Sequence, residues 1–65
     1  MRVLINQKPC ELPDGITLAE AVALIEVSNP FAVAVNLNFV PRTQYAQTAL
    51  QEGDQLEIIT PAAGG

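Results

Sequence analysis

The chain has 65 residues, 49% hydrophobic and 15% charged, with net charge −4 at pH 7; that makes one domain, which must bury a compact apolar core because so short a chain hides only about 60% of its unfolded surface. One cysteine and no histidine exclude an internal disulfide, a Cys/His zinc site and His-based acid–base catalysis. With only Arg2, Lys8 and Arg42 basic, no positive stripe exists for nucleic acid or anionic lipid, and a basic protein partner is the expectation.

Met1 to Ile5 is an aliphatic, β-branched run. Asn6-Gln7-Lys8-Pro9 breaks it, and Cys10 to Leu12 resumes before Pro13-Asp14-Gly15, so the stretch predicts a hairpin with a short second strand. Alternation puts Val3 and Ile5 on one face and Leu4 on the other. Cys10 reads as a small buried hydrophobe rather than a sulfur-relay thiol. Thr17-Leu18-Ala19-Glu20 fits a capping box and starts a helix. Leu18, Ala21, Val22 and Ile25 form its apolar stripe, with Glu20 and Glu26 on a solvated face rather than acting as paired catalytic carboxylates. The helix is expected to end near Ser28, because Pro30 disfavours the helical conformation at Asn29.

Phe31 to Asn36 predicts a strand apolar on both faces, hence interior to a sheet, with Val33 and Val35 toward the helix and Ala32 and Ala34 away from it. Leu37 to Val40 turns into a short strand stopped by Pro41. Arg42 to Thr48 reads as a loop with at most a helical turn, anchored by Tyr45. Leu50 to Asp54 is a turn with positive φ at Gly53, delivering a last strand in which Leu56 and Ile58 share one face and Glu57 and Ile59 the other. One helix covers one face of such a sheet. Leu4, Ala34 and Ile59 are therefore expected to form a partly exposed apolar patch, with Glu57 beside it, on a face suited to a partner.

Residues 1–60 are thus expected to be the folded domain, and 61–65 a flexible tail, because Pro61-Ala62-Ala63-Gly64-Gly65 offers almost nothing to pack. Taken alone, a glycine doublet is more often incidental than functional; its available chemistry is that of one ionised, unreactive carboxylate that a partner would have to activate. No apolar run approaches the ~20 residues of a membrane span, and Met1 to Asn6 is too short for a signal-peptide core, so no membrane association and a reducing, cytoplasmic location are expected.

Val33-Ala34-Val35-Asn36, Val40-Pro41-Arg42, Leu50-x-x-Gly53-Asp54-x-Leu56-Glu57-Ile58 and Gly64-Gly65 together resemble the ubiquitin-like β-grasp sulfur carriers, and among them the thiamine-pathway family, ThiS. The resemblance runs over nearly the whole chain; Leu37 departs from it, since many relatives have Gly after the Asn. It implies an α+β fold, a mixed four- to five-stranded sheet packed on one helix, with a flexible Gly-Gly tail. It also implies a carrier rather than an enzyme, a monomer when free, holding no cofactor of its own. A ubiquitin-activating-like adenylyltransferase would use ATP and magnesium to adenylate Gly65. A persulfide donor would convert the adenylate to a thiocarboxylate, and thiazole synthase would accept the sulfur. Gly64, Ala63 and Ala62 would be the tail residues that partners recognise, and Leu4, Ala34, Glu57 and Ile59 the docking face. The small subunit of molybdopterin synthase, with the same tail chemistry, is the nearest alternative; a ubiquitin-like modifier of lysines and a plain binding module are others.

Overall fold

Two hairpins flank one strand, which comes last among the described residues. The computed structural model describes residues 1–25 and 31–60. Its elements are β1 (Arg2–Ile5), β2 (Lys8–Glu11), α1 (Leu18–Ile25), β3 (Ala32–Val35), β4 (Asn38–Val40), a 3-10 helix (Arg42–Gln47) and β5 (Gln55–Ile59). The sheet has five strands in the order β2-β1-β5-β3-β4, with β5 parallel to β1 and antiparallel to β3.

Each hairpin closes on two residues of positive φ, Asn6 (50°) with Gln7 (70°) and Asn36 (51°) with Leu37 (71°). Such pairs give the turn twist that matches the right-handed twist of the strands. The first turn is tighter than expected: Lys8 and Pro9 belong to β2, opposite Ile5 and Leu4. Pro9 is tolerated because β2 is an edge strand and because of its register. Met1 and Leu12 exchange hydrogen bonds of 2.6 and 2.8 Å. Alternation from that pair makes Leu4 and Pro9 a non-hydrogen-bonded pair, so the proline nitrogen faces away from β1.

Helix α1 begins as predicted. The Glu20 N–H donates to Thr17 Oγ1 at 3.2 Å and the Thr17 N–H to Glu20 Oε1 at 3.0 Å, the reciprocal bonds of a capping box. Leu18 and Ala21 are fully buried and Val22 packs on the same core, while Glu20 is exposed. The expected helix end at Ser28, and Glu26, lie outside the described residues. The core joins Val3, Leu18, Ala21, Val33 and Leu56 with Leu12, Ile16, Val40, Tyr45 and Leu50. Ile5, Val35 and Ile58 pack against it from the same sheet face, as period two requires.

The segment after Pro41 is more regular than expected, a six-residue 3-10 helix with Tyr45 buried. The Gln44 N–H donates to Pro41 O at 2.9 Å and the Thr48 N–H to Tyr45 O at 3.3 Å. Phe31 stacks on Tyr45 at 6.3 Å between centroids, and the Arg42 guanidinium lies 5.4 Å from the Phe31 ring centre. A single inward side chain leaves no periodicity to read. The turn before β5 is built on Gly53, φ +86°, whose N–H donates to Arg2 O at 2.8 Å. Asp54 accepts from the Gln51 N–H at 2.8 Å and from Asn36 Nδ2 at 3.0 Å.

Two predictions follow from these local geometries. Leu37 holds a left-handed conformation while 83% exposed, so it bears the Cβ strain of roughly 1–2 kcal/mol and gains little burial in return. Leu37→Gly, after the entropy that glycine adds to the unfolded chain, should raise stability by about 0.5–1 kcal/mol in urea denaturation; a lowered midpoint would show that the leucine side chain supports the fold. The second concerns the Met1 amine, 3.1 Å from Asp14 Oδ1. Its pKa is raised from 8.0, chiefly by the hydrogen bond to Asp14, against desolvation and with help from the charges of Asp14, Glu11 and Glu52. Because the folded value is the higher one, this stabilisation is complete below about pH 8 and is lost as pH rises through the folded pKa. Asp14→Asn should flatten the decline of melting temperature above pH 8; an unchanged slope would remove the ion pair from the explanation.

Candidate functional site

Among the described residues the helix covers one side of the sheet and no element covers the other, and strand register determines which side chains occupy that open side. Ala34 sits opposite Glu57 on β5 and opposite Phe39 on β4, and Ala32 sits opposite Ile59. Phe39 is 68% exposed and Ile59 58% exposed, Ala32 and Ala34 are half-buried and Glu57 is exposed. Phe39, Ala34, Ala32 and Ile59 therefore form one apolar group around a single carboxylate. Leu4 pairs with Gln55 on the same face, but on the far side of Glu57, where Leu4, Gln7, Gln55 and Glu57 line a small depression of about 50 Å³. The four expected face residues thus share one side of the sheet, with Leu4 beside Glu57 but separated by it from Ala34 and Ile59.

Phe39 was not anticipated, although it is the largest side chain of the group. The signal was available: Val40 points into the core, so alternation sends Phe39 to the open side. The charges here are acidic or neutralised, since Arg2 lies 3.6 Å from Glu11 across the β1–β2 pair and Glu57 has no ion pair among the described residues. Cys10, opposite Val3 on β2, is half-buried against the core, which fits a small hydrophobe. Among the described residues no cluster of three metal-ligating side chains occurs, and no helix is long and apolar enough to cross a membrane.

The expected reactive end, Gly65, and the recognition residues Gly64, Ala63 and Ala62 lie outside the described residues. What is described is their root. β5 ends at Ile59, the centre strand of the sheet and part of the open face, so the last described residue, Thr60, follows directly from the apolar group.

A mixed five-stranded sheet crossed by one helix on one face is the ubiquitin-like β-grasp fold. The crystal structure of the thiamine biosynthesis protein ThiS from Geobacter metallireducens superposes with a TM-score of 0.87 over 100% of both chains at 22% identity. The solution structure of a thiamine biosynthesis protein from the same organism gives 0.82 over 100% of this chain and 88% of the other. At that identity the likeness establishes the fold. The ThiS family profile matches residues 3–65, and the sulfur carrier protein ThiS of Escherichia coli (strain K12) is 33% identical over 66 aligned positions covering 100% of both chains. The chain belongs to the ThiS family, and is a sulfur carrier of thiamine biosynthesis rather than a catalyst. A thiazole synthase of Paramagnetospirillum magneticum (strain ATCC 700264 / AMB-1) is 35% identical over 66 positions, which take up all of this chain and only 20% of that relative's length.

Proposed function

We propose that Gly65 is the atom-carrying end of this carrier, and that the open face around Ile59 docks the enzymes that load and unload it. A Gly65 carboxylate oxygen attacks the α-phosphorus of ATP held with magnesium by a ubiquitin-activating-like adenylyltransferase, and pyrophosphate leaves. The terminal sulfur of a cysteine persulfide then attacks the carbonyl carbon and AMP leaves. The resulting acyl disulfide is reduced by a thiol, which frees the thiocarboxylate and takes the other sulfur into a disulfide. Thiazole synthase accepts the sulfur, a reading supported by the relative in which a sequence like this whole chain forms a fifth of a thiazole synthase. The carrier holds no cofactor of its own, and a reducing, cytoplasmic setting suits the persulfide and the thiocarboxylate.

The observation that carries the reading is the full-length relationship to a sulfur carrier protein, joined to the position of β5. Six residues, Thr60 to Gly65, would span at most roughly 20 Å if fully extended at ~3.3 Å per residue. That is far enough to carry a terminal carboxylate into a buried site while the open face stays docked. Glycine at the end presents no Cβ to an incoming nucleophile. The apolar group would supply anchors, and Glu57 would steer a basic partner more than hold it.

Deleting Gly64-Gly65 is expected to move the melting temperature by no more than about 2–4 °C, since most surface changes stay within about 0.5 kcal/mol, and to abolish ATP–pyrophosphate exchange by the adenylyltransferase. Retained exchange would contradict the assignment of Gly65. For the docking face, Ile59→Asp should cut kcat/KM for the carrier by about 30-fold, matching the roughly 2 kcal/mol of a typical hot spot. Glu20→Lys on the helix should stay close to the unaltered carrier. The reverse order, in variants whose circular dichroism is native, would move the docking surface to the helix.

A further inference from the structure

The parallel ladder between β1 and β5 is short, with Leu4 opposite Gln55 and Ile5 opposite Leu56. Beyond Ile5 the chain turns back through Asn6 and Gln7 into β2, while β5 continues to Ile59. Hydrogen bonds along β5 alternate between its neighbours. Asn36 and Gln55 face each other through the Asn36 N–H, which donates to Gln55 O at 2.8 Å, so the N–H groups of Gln55, Glu57 and Ile59 point toward β3. The Ile58 N–H points the other way, toward a strand that has already ended. Its acceptor is a side chain: the Ile58 N–H donates to Asn6 Oδ1 at 2.9 Å, across 52 residues of sequence.

Two features mark Asn6 as suited to this. Its φ is +50°, and asparagine is among the few residues besides glycine that take a left-handed conformation readily. Its amide oxygen reaches where the backbone carbonyl of a continuing strand would have been. The same device stands at the other end of β5, where the Gln55 N–H donates to Asn36 Oδ1 at 3.0 Å from the equivalent position of the second hairpin. Two hairpin-turn asparagines therefore hold the central strand, one at its start and one next to its exit.

We infer that Asn6 is a positioning residue: its side-chain oxygen holds the backbone of β5 at Ile58 and so fixes where the chain leaves the sheet at Thr60 on its way to Gly65. This rests on the reading of Gly65 as the reacting end. With the bond in place, the last turn of β5 is held from both sides, and the docked face and the departing chain keep one geometry. Without it, β5 beyond Leu56 is held from the β3 side alone, and a partner must order that segment as it binds, which weakens binding without touching the chemistry.

The test uses the full chain and three variants. Asn6→Gly keeps the positive φ and removes the acceptor, Asn6→Asp keeps both, and Asn36→Gly removes the matching acceptor at the start of β5. In amide hydrogen exchange, Asn6→Gly should speed the Ile58 amide about tenfold or more while Val33 and Leu56 stay near their unaltered rates. Asn6→Asp should restore protection. In ATP–pyrophosphate exchange with the adenylyltransferase, Asn6→Gly should raise the KM for the carrier about tenfold with kcat within about twofold. Asn6→Asp should again restore it, and Asn36→Gly should leave it near the starting value. An equal rise in KM for Asn36→Gly would reduce the effect to general stability and overturn the proposal, as would unchanged Ile58 protection in Asn6→Gly. Should Asn6→Gly fail to fold, the unaltered chain still decides: an Ile58 amide exchanging as fast as an exposed loop amide overturns the proposal, and a slowly exchanging one supports it. If the unaltered chain supports no pyrophosphate exchange at all, the functional reading fails while the exchange of Ile58 still tests Asn6.

Discussion

Everything in this fold depends on the insertion of β5 between two hairpins that precede it. β1 offers one edge and β3 the other, and the last described strand joins them into a single sheet. The contacts it makes are among the most distant in sequence, from Leu4 with Gln55 to the Asn6 bond to Ile58. The entropy of closing such long loops is recovered by burying Leu56 and Ile58 against Val3, Leu18 and Val33. The polar corner of Asn36, Gln51 and Asp54 anchors the start of β5, while its register is held by the inward packing of Leu56 and Ile58. A slip by one residue would turn Leu56 out to solvent and Glu57 into the core.

That register also divides labour between the faces. One side of β5 packs the domain, and the other carries Glu57 and Ile59 among Ala32, Ala34 and Phe39. The chemistry proposed for the chain asks little of its side chains beyond holding a surface still and releasing a backbone from it. A scarcity of nucleophiles and bases is therefore compatible with that chemistry. Under the proposed function, an end of β5 at the centre of the sheet, next to the exposed apolar group, would let one rigid element serve docking and delivery together.

Much of this was legible because it is local or periodic. The Thr17–Glu20 capping box, the turn at Gly53 and the inward faces of Val3, Val33, Val35, Leu56 and Ile58 are each determined within a few residues of sequence. Leu4, Ala34, Glu57 and Ile59 fell on one face by the same alternation. Less legible were features governed by distant partners. Pro9 looked like a turn residue and is a strand residue, because the edge position that tolerates it is a property of the sheet. The 3-10 helix after Pro41 shows no pattern, having one buried side chain, Tyr45. The asparagine clamps could not be read at all. Asn6 falls in a predicted turn and Asn36 at the end of a predicted strand, which the structure closes at Val35, and the backbone groups they satisfy lie 52 and 19 residues away.

The glycine doublet says little by itself; the functional reading rests on its combination with the spaced motifs of a family to which the chain belongs. The most direct measurement is the intact mass of the chain after co-expression with the adenylyltransferase and its sulfur source, with fragmentation to locate any change. A gain equal to replacing one oxygen by sulfur, confined to Gly65, is the expected result. An unmodified mass under conditions where the enzyme consumes ATP, or sulfur found on Cys10 instead, would contradict the assignment of Gly65 as the sulfur-bearing end.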